Sequence, residues 1–336
     1  MSRKKHVNRR EFLRTVSLTG AGIYLAGCAQ KPSQPLATPI VESTTKESDG
    51  LNEILEEGVS NSQEPVFGDV YLSVIRGEDP GEMAKRAVAA IGGMEKYVSP
   101  GADVIIKPNI CTDYYSYEYG ATTNPEVVAA LVSLCLESGA GRVRVMDNPF
   151  AGTAQSAYQR SGIGNAVGTV GGEMEVMNSN KFRTNKIPDG IDLKEWKFYQ
   201  DILNADVVIN APIAKHHGIT GLTLGCKNLM GTILNRGQIH SNIDQRIADI
   251  VSRVRPTLTV IDGIRTLTRG GPTGGNLDDV KMSNTVIASA DVVAADSYAA
   301  TLFDKTGSEI GYIRAAASMG LGTMDLASIK IEELSL

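Results

Sequence analysis

The chain has 336 residues, with 33 Lys/Arg against 38 Asp/Glu and a formal net charge of −5. Six of the basic residues and one acid fall within positions 1–27, so the remainder carries 27 basic against 37 acidic side chains, net −10. So acidic a body lacks the Lys/Arg excess on which sequence-independent phosphate contacts run, and no nucleic acid is expected as a partner.

The N-terminus reads "NRREFLRTVSLTGAGIYLAGC". Its weakly apolar stretch, 15–26, is shorter than the roughly 20 residues a spanning helix needs. Residues 1–27 therefore read as a removed export signal and not as a structural helix. The pair Arg9 and Arg10 resembles a twin-arginine signal, and "LAGC" resembles a lipobox, in which Cys28 takes a diacylglycerol and becomes the new N-terminus. The expected partners are the twin-arginine export machinery and a lipid bilayer through acylated Cys28. The expected place is the outer side of the cytoplasmic membrane, with the outer membrane as an alternative. Residues 28–66 are rich in Pro, Ser, Thr and Glu without a sustained apolar period, and read as a flexible tether.

Residues 67–336 alternate strands and helices. Strands are expected at 70–77, 102–109, 142–147, 205–212, 257–263, 284–289 and 329–334. Helices are expected at 80–93, 124–141, 241–254 and 291–303. In the second, Asn124 is placed to cap, Pro125 suits the first position, and Val127, Val128, Leu131, Leu134 and Cys135 form one apolar stripe. Ser241 is the expected cap of the third. The alternation predicts an α/β domain with a mostly parallel central sheet and flanking helices. The less regular segment 150–200, with the single Trp196, is the place for a small inserted subdomain.

Open α/β sheets bind ligands beyond the carboxyl ends of their strands. Four apolar strands here deliver polar residues at that end: Lys107 and Asn109; Asp147 and Asn148; Lys215, His216 and His217; and Asp262. "APIAKHHGITGLTLGCKNLMG", 211–231, reads as a loop and following helix that return Lys227 and Asn228 toward Lys215. Lysines and amides converging on one place suit an anion or a developing oxyanion, and a histidine beside them suits proton transfer. His240 precedes a helix and suits a base, a hydrogen-bond donor or a packed ring. "RGGPTGG" (269–275), with Gly271 and Gly274, offers backbone amides to a ligand but is no phosphate loop. The four tyrosines of 113–120 suit a stacking platform, a lid or an exposed loop. Metal ligation from His217, His240, Asp147, Asp262 and Cys226 has no recognised ligand spacing, so any metal is unknown. There is no C-x-x-C and hence no iron–sulfur motif, and no G-x-S-x-G.

"VIIKPN", the helix start Thr123-Asn124-Pro125, "K-x-H-x-x-T-G-x-T-x-x-x-K-N-x-x-G", a single later histidine, "P-x-L-T-V-I-D-G", "GGPTGG" and "DVVAAD" follow in order. Together they resemble the family called domain of unknown function 362, over roughly residues 70–305. The resemblance places the family histidine on His217, two after Lys215, its Lys-Asn pair on Lys227 and Asn228, its single histidine on His240 and its aspartate on Asp262. Many relatives carry ferredoxin-like modules, which implies redox chemistry. This chain has no cluster cysteines, so redox chemistry here implies a separate redox partner.

The expected function is an enzyme, of redox type by resemblance, that binds an anionic substrate or an unidentified cofactor. His217, Lys215 and Lys227 would be catalytic, and Lys107, Asn109, Asp147, Asn228, His240, Asp262, Gly271 and Gly274 would bind the ligand. The alternative is a lipid-anchored protein that binds a ligand or metal without catalysis.

Overall fold

The computed structural model describes residues 70–336. Arg9, Arg10, Cys28 and the tether lie outside the described residues. In chain order come β1 (Leu72–Arg76), α1 (Pro80–Ala90), β2 (Asp103–Pro108), α2 (Pro125–Glu137) and β3 (Arg142–Val145). Next are α3 (Ala154–Ser161), α4 (Ile163–Thr169), β4 (Glu173–Met174), β5 (Phe182–Lys186), β6 (Glu195–Tyr199) and α5 (Gln200–Asn204). β7 (Val207–Ala211), β8 (Ile213–His217), β9 (Gly221–Thr223), α6 (Gly225–Asn228) and α7 (Ile243–Val254) follow. The chain closes with β10 (Leu258–Leu267), β11 (Val280–Ser289), α8 (Val292–Ala300), α9 (Gly311–Ser318) and β12 (Ile331–Ser335).

The central sheet has the order β12-β1-β11-β10-β7-β2-β3-β4. From β10 to β4 every neighbouring pair is parallel. β11 is antiparallel to both β10 and β1, and β12 runs parallel to β1 at the edge. β8 and β9 complete the ten-stranded sheet beside β10, β8 parallel to β10 and β9 antiparallel to β8, so the expected mostly parallel sheet is present with two reversed strands, β11 and β9.

Side-chain alternation explains why the strands read as continuous apolar runs. Val104 and Ile106 of β2 face a core that includes Val88 of α1 and Val127, Val128, Leu131 and Cys135 of α2. Ile105 faces the other core, with Ile247, Ile250 and Val251 of α7, Val293 of α8 and Ile313 of α9. A sheet covered on both faces needs apolar side chains at every position. Asn124 caps α2 as expected, its side chain accepting from Glu126 N at 2.9 Å, with Pro125 in the first turn.

Three expectations change. α7 starts at Ile243 after Asn242, without a side-chain cap, and Ser241 Oγ instead accepts from Arg246 Nη1 at 2.8 Å. β10 runs on to Leu267, well past the 263 expected. Segment 150–200 is divided: α3, α4 and β4 extend the main sheet's layers, and only β5 and β6 form a separate two-stranded sheet. Its Trp196 donates to Leu234 O at 2.7 Å.

The chain leaves β2 outward to β3 and β4, then returns to β7 on β2's opposite side and continues to β10. The order reverses between β2 and β7. Such a reversal opens a crevice at the carboxyl ends of the two strands.

Candidate functional site

In the stretch 211–231 the expected loop is a strand hairpin, β8 and β9, and the expected helix follows it as the short α6. β8 pairs with β9 in antiparallel register, Lys215 opposite Thr223 and His217 opposite Gly221. Gly221 takes φ +75°, the left-handed region in which a side chain is strained. Successive side chains of an extended strand point to opposite sides. Lys215 and His217 accordingly both line a cavity of about 430 Å³, and His216 does not. His216 turns the other way, and its Nδ1 accepts from Gly271 N at 3.2 Å. Lys227 and Asn228 reach the same cavity from α6. The start of α6 is fixed by buried Asp296, whose carboxylate accepts from Gly225 N (2.6 Å) and Cys226 N (2.9 Å).

Most polar groups on the wall are already satisfied by one another. Lys107 Nζ donates to Pro108 O (2.9 Å) and Asn228 Oδ1 (3.1 Å) and pairs with Asp147 Oδ1 at 2.8 Å. Burial pulls the Lys107 ammonium's pKa down, and the Asp147 charge opposes that. We take the close pair as charged. Asp147 also accepts from Ile110 N (2.7 Å) and Asn148 N (2.8 Å). Lys215 Nζ donates to Asn109 Oδ1 (2.9 Å), Ala121 O (2.6 Å) and Pro272 O (2.9 Å), with Cys111 Sγ at 3.4 Å. An ammonium has three donors, so both lysines are used up. Asn228 and Asn109 tie the two halves together, Asn109 Nδ2 donating to Asn228 Oδ1 at 2.9 Å. Asn228 Nδ2 in turn donates to Asn210 Oδ1 at 2.9 Å. Lys107, Lys215, Asn109, Asn228 and Asp147 thus build the floor of the cleft and have little left to offer a ligand.

Three groups differ. Lys227 is 9% exposed and lines the cavity, and no described residue accepts a hydrogen bond from its Nζ. Burial, reinforced by the charges of Lys215 and Arg236, pulls its pKa down to about 7. Arg236 also lines the cavity, and its one hydrogen bond among the described residues is a long one, 3.4 Å to Pro149 O. Burial lowers its pKa too. His217 accepts at Nδ1 from Ile219 N (3.2 Å) and Thr220 N (3.4 Å). A neutral imidazole with Nδ1 accepting carries its proton on Nε2. Burial, with the charges of Lys227 and Lys215, pushes the His217 pKa to about 3. The ring is therefore a neutral N–H donor near neutral pH, as held, and its Nε2 edge is left for the cavity. That geometry suits a fixed donor to a ligand. Of the acid/base role expected from the sequence, this arrangement suits the donating half, because Nδ1 is occupied by Ile219 N and Thr220 N and Nε2 carries the proton.

The rest of the expected set divides. His240 is exposed and stands at the cavity wall with Gly271. Gly271 packs so closely on the His216 carbonyl that a Cβ would collide with it. Gly274 does not line the cavity, and its N–H donates to Gly270 O at 3.1 Å. Asp262 is also absent from the wall. It is 1% exposed and accepts from Asn124 N (2.7 Å) and Ile264 N (3.0 Å), so it anchors the start of α2 to β10. Burial raises its pKa to about 6. Cys226 is buried beside Asp296 and away from the cavity. Among the described residues no three His, Cys, Asp or Glu side chains converge as a metal cage. The tyrosines of 113–120 are not on the wall. Tyr115 stacks on Tyr119 with ring centroids 4.7 Å apart, and Arg265 covers Tyr117.

Sequence reasoning missed Arg236, Cys111 and Phe150, all on the wall. Cys111 could have been found, because it lies two residues after Asn109 where β2 leaves the sheet. Arg236 opens a 3-10 helix, Arg236–Asn242, whose only signal in the sequence is Asn235-Arg236-Gly237, with Asn235 at φ +57°. Among the described residues the wall holds Lys107, Lys215, Lys227 and Arg236 against the single carboxylate of Asp147, and it includes the exposed Phe150 and Ile219. Such a set can seat a small anion and polarise one of its oxygens.

The chain is similar to the thylakoid-associated protein sll1697 of Synechocystis sp., 27% identical over 240 residues that cover 69% of this chain and 72% of that protein. Among solved structures it is similar to the lactate racemase apoprotein of Thermoanaerobacterium thermosaccharolyticum (TM-score 0.41, 11% identity, 67% of this chain). A Thermotoga maritima protein is similar at TM-score 0.38 and 10% identity over 72% of this chain. The chain spans 55% and 60% of the lengths of those two structures. The pattern of the family described as "Domain of unknown function (DUF362)" matches residues 104–301, and the chain belongs to that family.

Proposed function

We propose that the domain is an enzyme that takes a small organic anion into the cleft between β2 and β7. The observation that carries this reading is the division among the wall groups. Lys107, Lys215, Asn109 and Asn228 satisfy one another, while Lys227, Arg236 and the Nε2 edge of His217 keep donors toward one cavity. A buried amine without an acceptor, as Lys227 is among the described residues, costs free energy unless something binds it, and the half-buried Arg236 has only its long contact to Pro149 O. Lys227, with a pKa near 7, is the group suited to move a proton at neutral pH, and His217 would polarise an oxygen of the ligand.

The reading extends to a lipid-anchored, exported protein, supported by the Arg9-Arg10 pair and Cys28 in the order and spacing of the two signals. The redox class rests on the family resemblance alone and would need a separate electron partner. The test is to release and identify what the protein carries when purified from its native membranes, by absorbance, metal analysis and mass spectrometry of the extract. A stoichiometric organic anion, absent from an Arg236→Ala, Lys227→Ala variant, supports the reading. A ligand retained by that variant rejects it.

A further inference from the structure

We propose that Lys227 is an amine nucleophile that condenses with the carbonyl of a small 2-oxo acid whose carboxylate is held by Arg236. The proposal deepens the anion-binding reading of the same cleft and rests on it. Three observations carry it. Lys227 lines the cavity at 9% exposure with no acceptor for its protons among the described residues. Among the described residues the only carboxylate on the wall, Asp147, is already held by Lys107 and by the N–H groups of Ile110 and Asn148, so none of them fixes Lys227 as an ammonium. The other two wall lysines have every proton engaged and cannot attack.

The titratable and charged groups on this wall are Lys107, Lys215, Arg236, Asp147, Cys111, His217 and His240. Burial disfavours the ammonium of Lys227 most, and the charge of Lys215 adds to it; Cys111 favours the ammonium, and Arg236 disfavours it to a smaller extent. A desolvated lysine beside another cation is an activated amine. About half of Lys227 is then neutral near pH 7.

The step balances without a further reagent. The Nζ lone pair adds to the carbonyl carbon, the C=O pair moves to oxygen, and the carbinolamine forms. The oxygen leaves as water with the two amine protons, and a C=N bond remains. His217 Nε2–H donates to the carbonyl oxygen during addition, and Arg236 places the carboxylate. A 2-oxo acid supplies both handles on adjacent carbons, which suits a cleft with a guanidinium and an amine on one wall.

The test treats the full-length protein with pyruvate and sodium cyanoborohydride, then maps labelled lysines by mass spectrometry. Lys227 should gain the mass of pyruvic acid less one oxygen. It should label at least about tenfold faster than exposed lysines at neutral pH. Its labelling rate should rise with a midpoint near pH 7. Labelling spread evenly over surface lysines, or sparing Lys227, overturns the proposal. A parallel melt with oxalate, an anion without a ketone, separates the two readings. Oxalate stabilisation with Lys227 unlabelled removes the amine chemistry and leaves the anion site standing. No stabilisation and no labelling removes both.

Discussion

Lys107 and Asp147 form an ion pair 2.8 Å long with both side chains almost wholly buried, 1% and 5% exposed. The two residues leave the carboxyl ends of neighbouring parallel strands, β2 and β3. Their pairing closes the cavity floor on one side of the point where the strand order reverses. Gly231 lies against it, and a Cβ there would come within 2.6 Å of Lys107 Cε.

Removing one partner leaves the other charge buried and unmatched. Asp147→Ala and Lys107→Ala should each cost about 3–5 kcal/mol in urea unfolding. The double change Lys107→Met, Asp147→Leu should cost less than either, because no charge is stranded. Additive losses in the double variant would show that the pair is not coupled.

His217 has two edges with different tasks, and two substitutions divide them. In His217→Asn a side-chain oxygen can sit where Nδ1 accepts from Ile219 and Thr220, but nothing reaches the cavity. In His217→Gln an amide N–H can stand near Nε2, but the backbone acceptor is lost. The first should keep stability within about 1 kcal/mol and lose anion binding. The second should melt lower and retain more binding. The pH profile adds a sign. The folded pKa of about 3 lies below the ordinary 6.5, so the unfolded chain takes up the proton first as pH falls. Stability from this group is complete above about 6.5 and is lost from there toward 3. His217→Asn should lose less than the parent over that window in acid melts. An identical acid slope would mean the ring is solvated.

Asp262 should behave as an anchor. Asp262→Asn turns an amide toward one of the N–H groups of Asn124 and Ile264, which should cost about 1–3 kcal/mol. Binding in the cleft should persist in calorimetry below the melting temperature. Lost binding with unchanged stability would return Asp262 to the site.

Much of this was readable from residues alone. "VIIKP" reads as a strand because both faces of β2 are buried, and Asn124-Pro125 reads as a helix start because capping is local. The cluster Lys215, His217, Lys227 and Asn228 was also visible. Which of them keep a free donor was not, since Lys215 meets Asn109 across 106 positions and Lys107 meets Asn228 across 121. Asp262 was misplaced because β10 continues to Leu267, so the residue lies mid-strand and not at a carboxyl end. β8 read as a loop because Lys215, His216 and His217 are polar, although two of them are buried inside the cleft.

In the proposed function, Lys227, Arg236 and His217 form the seat for a small anion. Calorimetric titration of the full-length protein with oxalate at pH 6.0 and pH 8.5 is the deciding measurement. Lys227 is charged below about 7 and neutral above it, so the sign is fixed: affinity falls as pH rises. Loss of one charge-assisted contact of about 1.5–3 kcal/mol corresponds to roughly tenfold or more. We expect saturable one-to-one binding at pH 6.0, weakened by about that factor at pH 8.5. Lys227→Met should remove the pH dependence, and Arg236→Ala should abolish binding at both values. Binding that is absent from the parent protein, or equal in parent and both variants, would contradict the account.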